Sequence, residues 1–121
     1  MDREKKDKAA KGKEKKAKQD RKPKHYEALR KKHPEFVEAV EALGRAVQAA
    51  GPLGGKSVLL VQLGAAAAMR SEGSLRSHVR RAVAAGASPD EVRHALICLT
   101  STIGFPAVAA ALSWAGKELK G

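Results

Sequence analysis

The sequence predicts an all-α protein, a bundle of about five helices with a disordered basic arm at the amino end. Three observations predict it. No segment alternates apolar and polar residues with the period of two that a half-buried strand shows. Apolar residues instead recur at helical spacing, and glycine and proline residues separate these segments. Most of the charge lies in one lysine-rich segment that has few apolar residues.

The lysine-rich segment covers residues 1–32, which contain 15 Lys and Arg against 6 Asp and Glu. Residues 33–121 contain 9 Lys and Arg against 7 Asp and Glu, so most of the formal net charge of +11 lies in residues 1–32. Few apolar side chains are available to offset the entropy of ordering. We therefore predict a disordered arm over residues 1–32, with Tyr26 and Leu29 beginning to contact a helical domain over residues 33–121.

The arm's cations favour weak, salt-dependent and non-specific contact with nucleic acid through residues 1–32. The arm has no interleaved aromatic residues for base stacking, and it lacks the apolar face that membrane insertion requires. It is equally typical of a solubilising segment. It has no apolar core of the kind found in secretory signals. The longest apolar stretch, Val58 to Met69, is too short to span a bilayer, so we expect a cytoplasmic protein without a membrane partner.

Start and stop signals divide residues 33–121 into five predicted helices. The clearest start is Ser88-Pro89-Asp90-Glu91, in which Ser88 is the N-cap and Glu91 completes a capping box. Gly86 is the predicted stop of the helix before it. The predicted helices cover 34–50, 56–70, 74–85, 89–102 and 107–120. The second is apolar almost all round, which indicates a central or subunit-facing helix.

The predicted core is small, because its apolar residues are mainly Ala, Val and Leu. Phe36, Phe105 and Trp114 are the large aromatic side chains available to it. Alanine-rich helices bury little apolar area each, so we expect the protein to be a homo-oligomer.

The single cysteine, Cys98, cannot form an intramolecular disulfide. It follows His94 by four residues, so the two could share a helical face and the histidine could activate the thiol. The segment Leu96 to Leu99 also has the composition of a core, which favours a buried and unreactive cysteine. The four histidines lack the spacing of a metal site, and we expect no metal and no cofactor.

A polar cluster between two apolar segments is the candidate site. Ser74, His78 and Arg81 share one face if the segment is helical, because residues three and four positions apart are neighbours. His78 suits a general acid or base, since imidazole titrates near neutrality. It is equally compatible with a structural histidine bonded to Ser74 or to a carbonyl. Ser71 or Ser74 is expected to cap the helix, and Thr100, Ser101 and Thr102 either face the same site or cap the preceding helix.

Four segments carry a family resemblance over about residues 33–120. They are His33-Pro34-Glu35, Ser77-His78-Val79-Arg80-Arg81-Ala82, the run from Ala85 to Val92, and Ile103-Gly104-Phe105-Pro106-Ala107. In this order and spacing they resemble the carboxymuconolactone decarboxylase and alkylhydroperoxidase D-like superfamily. The resemblance implies an all-helical protomer assembled as a trimer or hexamer. For the peroxidase branch, it implies peroxiredoxin-type reduction of hydroperoxides.

That branch uses a Cys-x-x-Cys-x-x-x-His motif, and placing its histidine on His78 puts Ser71 and Ser74 where the thiols would be. Peroxide reduction requires a thiolate and a second thiol, which serine does not supply. The resemblance to the branch without the dithiol implies action on a lactone acid or another small organic acid. It implies His78 as catalytic acid or base, and Arg81, Arg76 and Ser74 as substrate-binding residues. The alternatives are hydroperoxide reduction through Cys98 and a non-catalytic scaffold with a basic arm.

Overall fold

The computed structural model describes residues 24–119, and this part of the chain contains helices and no strand. The predicted all-α class is therefore confirmed. The helices are α1 (Lys24–Lys32), α2 (Pro34–Ala49), α3 (Gly55–Ala68), α4 (Glu72–Ala84), α5 (Pro89–Ile97), α6 (Thr100–Ile103) and α7 (Phe105–Gly116). They belong to two units, Met1–Gly54 and Gly55–Gly121.

The described part of the first unit is a pair of helices, α1 and α2. Tyr26 and Arg30 on α1 both donate hydrogen bonds to Glu41 on α2, and the Arg30 guanidinium lies 5.4 Å from the centre of the Tyr26 ring. These contacts order residues 24–32, which the sequence assigns to a disordered arm. That assignment fails here because the pairing with Glu41 joins residues 11 and 15 positions apart. Disorder and nucleic-acid contact within residues 1–23 lie outside the described residues.

The second unit is built around α3, which contacts α4, α5 and α7. This is the central position that its nearly uniform apolar composition predicts. The buried cluster contains six leucines and valines and six alanines, and the small alanines let the helices pack closely. The cluster consists of Leu59, Leu63, Ala66, Ala67, Leu75, Val79, Ala82, Ala87, Val92, Leu96, Ala111 and Ala115.

Two of the three aromatic residues expected in the core are on the surface. Phe36 is 56% exposed and Phe105 is 66% exposed, so that expectation is wrong for both. Trp114 is partly buried and packs against the core cluster, as expected. Helical periodicity identifies an apolar face, but it does not show what covers that face.

The capping box predicted at the start of α5 is confirmed. Ser88 Oγ accepts a hydrogen bond from the Glu91 amide over 3.0 Å, and Glu91 Oε1 accepts one from the Ser88 amide over 2.9 Å. The Lys56 ammonium group also donates a hydrogen bond to the Glu91 carboxylate over 3.1 Å. The Ser88 amide and then Lys56 stabilise the charged carboxylate, so they lower the pKa of Glu91. This box fixes the loop between α4 and α5.

Of two other predicted helix ends, that of α4 is confirmed and that of α5 is not. Gly86 has φ 109°, and the Ala87 amide bonds back to the Ala82 carbonyl over 2.9 Å, so Gly86 stops α4 as predicted. The helix predicted to continue to Thr102 ends instead at Ile97. Thr100 Oγ1 donates to the Ile97 carbonyl over 2.7 Å, and the short α6 follows. A side-chain bond of this kind competes with continuation of the helix.

None of the helices in residues 24–119 has the length and apolar character that a bilayer-spanning helix needs.

Candidate functional site

The candidate site lies on α4, which begins with Ser71 as its N-cap. Ser71 Oγ accepts a hydrogen bond from the Ser74 amide over 3.3 Å, so Ser71 rather than Ser74 caps the helix. Leu75, Val79 and Ala82 form the buried face of α4. That face fixes the rotation of the helix and places the next face at the edge of the core.

The half-buried face next to the core carries Ser74, His78 and Arg81, so the structure brings the three predicted residues together. His78 Nδ1 lies 2.8 Å from the Ser74 carbonyl oxygen, which can only accept a hydrogen bond. Nδ1 therefore carries the proton and donates it to that carbonyl. The Ser74 hydroxyl lies 3.5 Å from the same nitrogen. The remaining lone pair of the neutral ring is on Nε2.

That lone pair accepts a hydrogen bond from Arg81. Its Nη2 donates to His78 Nε2 over 3.1 Å, and a guanidinium has donors but no acceptor. Burial is the largest effect and lowers the pKa of His78; the bond to the Ser74 carbonyl raises it by less than burial lowers it, and the positive charge of Arg81 lowers it by a smaller amount again. His78 is consequently a neutral base at pH 7, with its tautomer fixed and a permanent cation beside its basic nitrogen.

Arg76, the fourth predicted site residue, is not brought to His78. Its Nε donates to Glu118 Oε2 over 2.6 Å, and its Nη1 lies 3.6 Å from Glu72. Arg80 Nη1 lies 3.1 Å from the same Glu118 oxygen. The Glu118 carboxylate thus joins two arginines of α4 to the segment after α7. Sequence reasoning missed Glu118, because a lone acidic residue 42 positions from Arg76 gives no local signal.

The model of the carboxymuconolactone decarboxylase family matches residues 34–117. This is more than half of the chain and covers α2 to α7, including the whole site helix. The chain belongs to the carboxymuconolactone decarboxylase family. Neither the comparison with curated proteins nor that with solved structures gave a match. The family resemblance predicted from the sequence is therefore confirmed.

The only cysteine of this family member lies outside the cluster around His78. Cys98 follows the last residue of α5, and it is free and exposed. The expectation that Leu96 to Leu99 is core holds for the buried Leu96 and is wrong for Cys98. Leu96 faces inward, and Cys98, two residues later, is about 200° further around the helix and so lies at the surface with Ile97. His94 is also exposed, and its carbonyl accepts the Cys98 amide over 2.9 Å.

Of the three hydroxyl residues predicted either to face the site or to cap the preceding helix, Thr100 caps the end of α5. Thr100 bonds the Ile97 carbonyl, and Ser101 and Thr102 are exposed. Among residues 24–119, no three His, Cys, Asp or Glu side chains are grouped in a way that could hold a metal ion. The cluster around His78 offers an imidazole, a guanidinium and a hydroxyl.

Proposed function

We propose that the protein acts on a small organic acid, with His78 as the acid/base and Arg81 as the group that holds the carboxylate. The observation that carries this proposal is the 3.1 Å contact between Arg81 Nη2 and His78 Nε2. A permanent cation can bind the carboxylate of a substrate, and the neutral base beside it can exchange a proton with another part of the same molecule. Ser74, within 3.5 Å of the ring, supplies an additional hydroxyl at the same position.

Substrate binding frees the base. In the structure the Nε2 lone pair accepts the Arg81 hydrogen bond, so it is not available for proton transfer. A carboxylate competes for the guanidinium with two parallel, charge-assisted bonds, which are stronger than one bond to a neutral imidazole. When Arg81 turns to the carboxylate, Nε2 is released next to the bound acid. The base is thus exposed only when a substrate of the right charge is present.

Proton transfer follows from the fixed tautomer. Nε2 takes a proton from a carbon next to a carbonyl group, and the imidazolium returns it to a conjugated carbon, which isomerises the acid. In a decarboxylation, the imidazole first takes up a proton from solvent; CO₂ then leaves, its bonding electron pair stays on the carbon, and the imidazolium gives its proton to that carbon. The Ser74 carbonyl keeps its bond to Nδ1–H throughout and stabilises the positive ring. Ser74 therefore holds the ring through both its carbonyl and its hydroxyl.

The family supports a lactone acid as the substrate class. The family is described by its action on a carboxymuconolactone, which carries the carboxylate that Arg81 would hold. The chain contains one cysteine, so a peroxidase dithiol within one chain is not available. Arg76 pairs with Glu118 and Glu72, whereas the guanidinium of Arg81 lies against His78 Nε2, and so we assign the carboxylate to Arg81.

The test is a titration of the full chain with a γ-lactone carboxylic acid and, in parallel, with its uncharged methyl ester. The imidazole NMR signals of His78 report the release of Nε2. The acid should shift them and the ester should not. Arg81→Ala should abolish the response to the acid, and the matched variant Arg76→Ala should retain it.

Turnover is measured on the same acid as CO₂ release and as deuterium incorporation from D₂O. His78→Gln should lose both. Unchanged turnover in that variant, or an equal response to acid and ester in the wild type, would overturn the proposal. Loss of the response in Arg76→Ala but not in Arg81→Ala would move the carboxylate to the other arginine and overturn this assignment.

A further inference from the structure

The side of α1 that is turned away from α2 is basic. Tyr26 and Arg30 bond a side chain of α2 and so mark the side of α1 that faces it. At about 100° per residue, Lys24, Lys31 and Lys32 all project within roughly 60° of the opposite direction. All three are exposed. We call these three lysines the basic face of α1.

The contacts of α1 separate its cations into two kinds. The guanidinium of Arg30 is paired with the Glu41 carboxylate, so its charge is already compensated within the protein. Within residues 24–119, none of the three lysines of the basic face forms an ion pair. The pairing with α2 therefore leaves the lysines as the cations that α1 presents to solvent.

The sequence before α1 continues this positive charge. Residues 1–23 contain 11 Lys and Arg against 5 Asp and Glu, and α1 begins directly after them at Lys24. Residues 1–32 together have 15 Lys and Arg against 6 Asp and Glu. With Arg30 compensated by Glu41, a net charge of +8 remains over this stretch. A charge of this density is suited to a polyanion.

The kind of cation indicates which part of a polyanion is bound. Residues 1–32 contain 12 Lys and 3 Arg, and one of the arginines is the paired Arg30. Lysine binds phosphate as a point charge, whereas arginine is the residue that most often reads base edges with two hydrogen bonds. A lysine-rich surface therefore favours contact with backbone phosphates, irrespective of the base sequence.

The aromatic content favours a duplex over a single strand. Tyr26 is the only Phe, Trp or Tyr among the first 32 residues. Its hydroxyl donates to Glu41, and the Arg30 guanidinium lies 5.4 Å from the centre of its ring. Proteins that bind single strands stack the bases on aromatic side chains. The one aromatic ring near the basic face is engaged with α2 and Arg30 instead.

We propose that residues 1–32 bind the phosphate backbone of double-stranded nucleic acid, with the basic face of α1 at the carboxyl end of the binding surface. An anionic bilayer fits this surface less well, because stable binding there takes an apolar signal in addition to basic residues. Residues 1–23 contain Met1 as their only large apolar residue. Binding to a duplex needs no apolar residue, since the release of counterions drives it. This binding is independent of the site on α4.

The first experiment measures the salt dependence of binding. The full chain is titrated into a fluorescein-labelled DNA duplex of about 20 base pairs, followed by fluorescence anisotropy between about 50 and 200 mM KCl. Contact with about six to eight phosphates should give a slope of about −5 to −7 for log K against log [KCl], so that Kd rises about a thousandfold. An AT-rich and a GC-rich duplex should agree within about twofold. No binding at the lowest salt, or a slope shallower than about −4, would overturn the proposal.

The second experiment tests the basic face with a double variant, Lys31→Gln with Lys32→Gln. Glutamine is a good helix former, so α1 should be retained, and the salt slope should become shallower by about 2. The matched control is Lys56→Gln with Lys117→Gln, which removes the same charge from lysines that are paired with carboxylates. The control should leave the slope unchanged. Equal effects of the two double variants, or no effect of the first, would overturn the role of the basic face.

The third experiment identifies the polyanion by competition against the labelled duplex at one salt concentration. The competitors are unlabelled duplex, vesicles that contain an anionic lipid, and poly-glutamate, at equal concentrations of negative charge. The duplex should compete best, because it carries one charge per about 1.7 Å, whereas extended poly-glutamate carries one per about 3.5 Å. Vesicles that compete equally well would indicate a membrane surface and overturn the proposal. Equal competition by poly-glutamate would indicate an acidic protein and overturn it as well.

Discussion

Arg81 donates a hydrogen bond over 3.1 Å to Nε2 of His78, three residues earlier on the same helix. The other ring nitrogen donates to the Ser74 carbonyl over 2.8 Å. Both nitrogens of His78 are therefore bonded, and the ring has one orientation and one tautomer. The charge of Arg81 also acts with burial to keep this ring neutral. Four predictions follow from this site and from the helix ends around it.

The first concerns the pKa of His78 in Arg81→Gln. This variant removes the positive charge that opposes protonation, and so the pKa of His78 should rise. It should remain below its ordinary value, because burial is the larger cause of the shift and persists. The pKa is measured by NMR titration of the ring protons. Arg76→Gln, on the same helix, is the control and should leave it unchanged; a pKa that falls in Arg81→Gln would contradict the assignment of Arg81.

The second concerns stability and pH. The folded pKa of His78 lies below the ordinary value of about 6.5, so the unfolded chain takes up this proton first as the pH falls. The contribution of His78 is complete above pH 6.5, declines below it, and levels off once the pH is below the folded pKa. His78→Gln should lose this part of the pH dependence. Urea unfolding at pH 8 and pH 5.5 measures it, and equal changes in free energy of unfolding for both proteins would refute it.

The third concerns Arg70, whose φ of 57° is in the left-handed region. The Arg70 and Ser71 amides bond the Ala67 and Ala66 carbonyls at the end of α3, so this conformation closes the helix. Arg70→Gly should raise the free energy of unfolding by about 0.5–1 kcal/mol, because glycine adopts positive φ without strain. Arg93→Gly, within α5, is the matched control and should lower it by about 1 kcal/mol. Urea unfolding distinguishes the two variants. Destabilisation by Arg70→Gly would show that the backbone of Arg70 is not strained.

The fourth concerns the capping box of α5. Ser88→Ala removes the oxygen that accepts the Glu91 amide and should cost about 1 kcal/mol of stability. Ser113→Ala, at an exposed position within α7, is the control and should be neutral or slightly stabilising. Both are measured by urea unfolding at neutral pH. Equal midpoints for the two variants would show that the cap contributes nothing.

The fold was predictable where the signal is local. Ser88 with Glu91 and Gly86 act within a few residues of one another, and both helix boundaries are confirmed. Phe36 and Phe105 could not be placed, because their exposure depends on what packs against their helices. Helix α1 was missed for the same reason, since Glu41 orders Tyr26 and Arg30 from the next helix.

The candidate site was likewise predictable only where its residues are close in the sequence. Ser74, His78 and Arg81 were predicted to share a face because they lie three and four residues apart on one helix. The different contacts of Arg76 and Arg81 could not be predicted from sequence, since both flank His78 in the chain. Their difference is set by Glu118, which reaches Arg76 from the other end of the domain.

The contact of Glu118 with two arginines of α4 gives the carboxyl end of the chain an electrostatic role. Glu118 lies beyond the last residue of α7 and only 12% of its side chain is exposed. A protein shortened by removal of residues 118–121 would keep every helix, yet it would leave two guanidinium groups of the site helix without this counter-charge. The Glu118 carboxylate therefore lowers the positive charge that Arg76 and Arg80 present on α4.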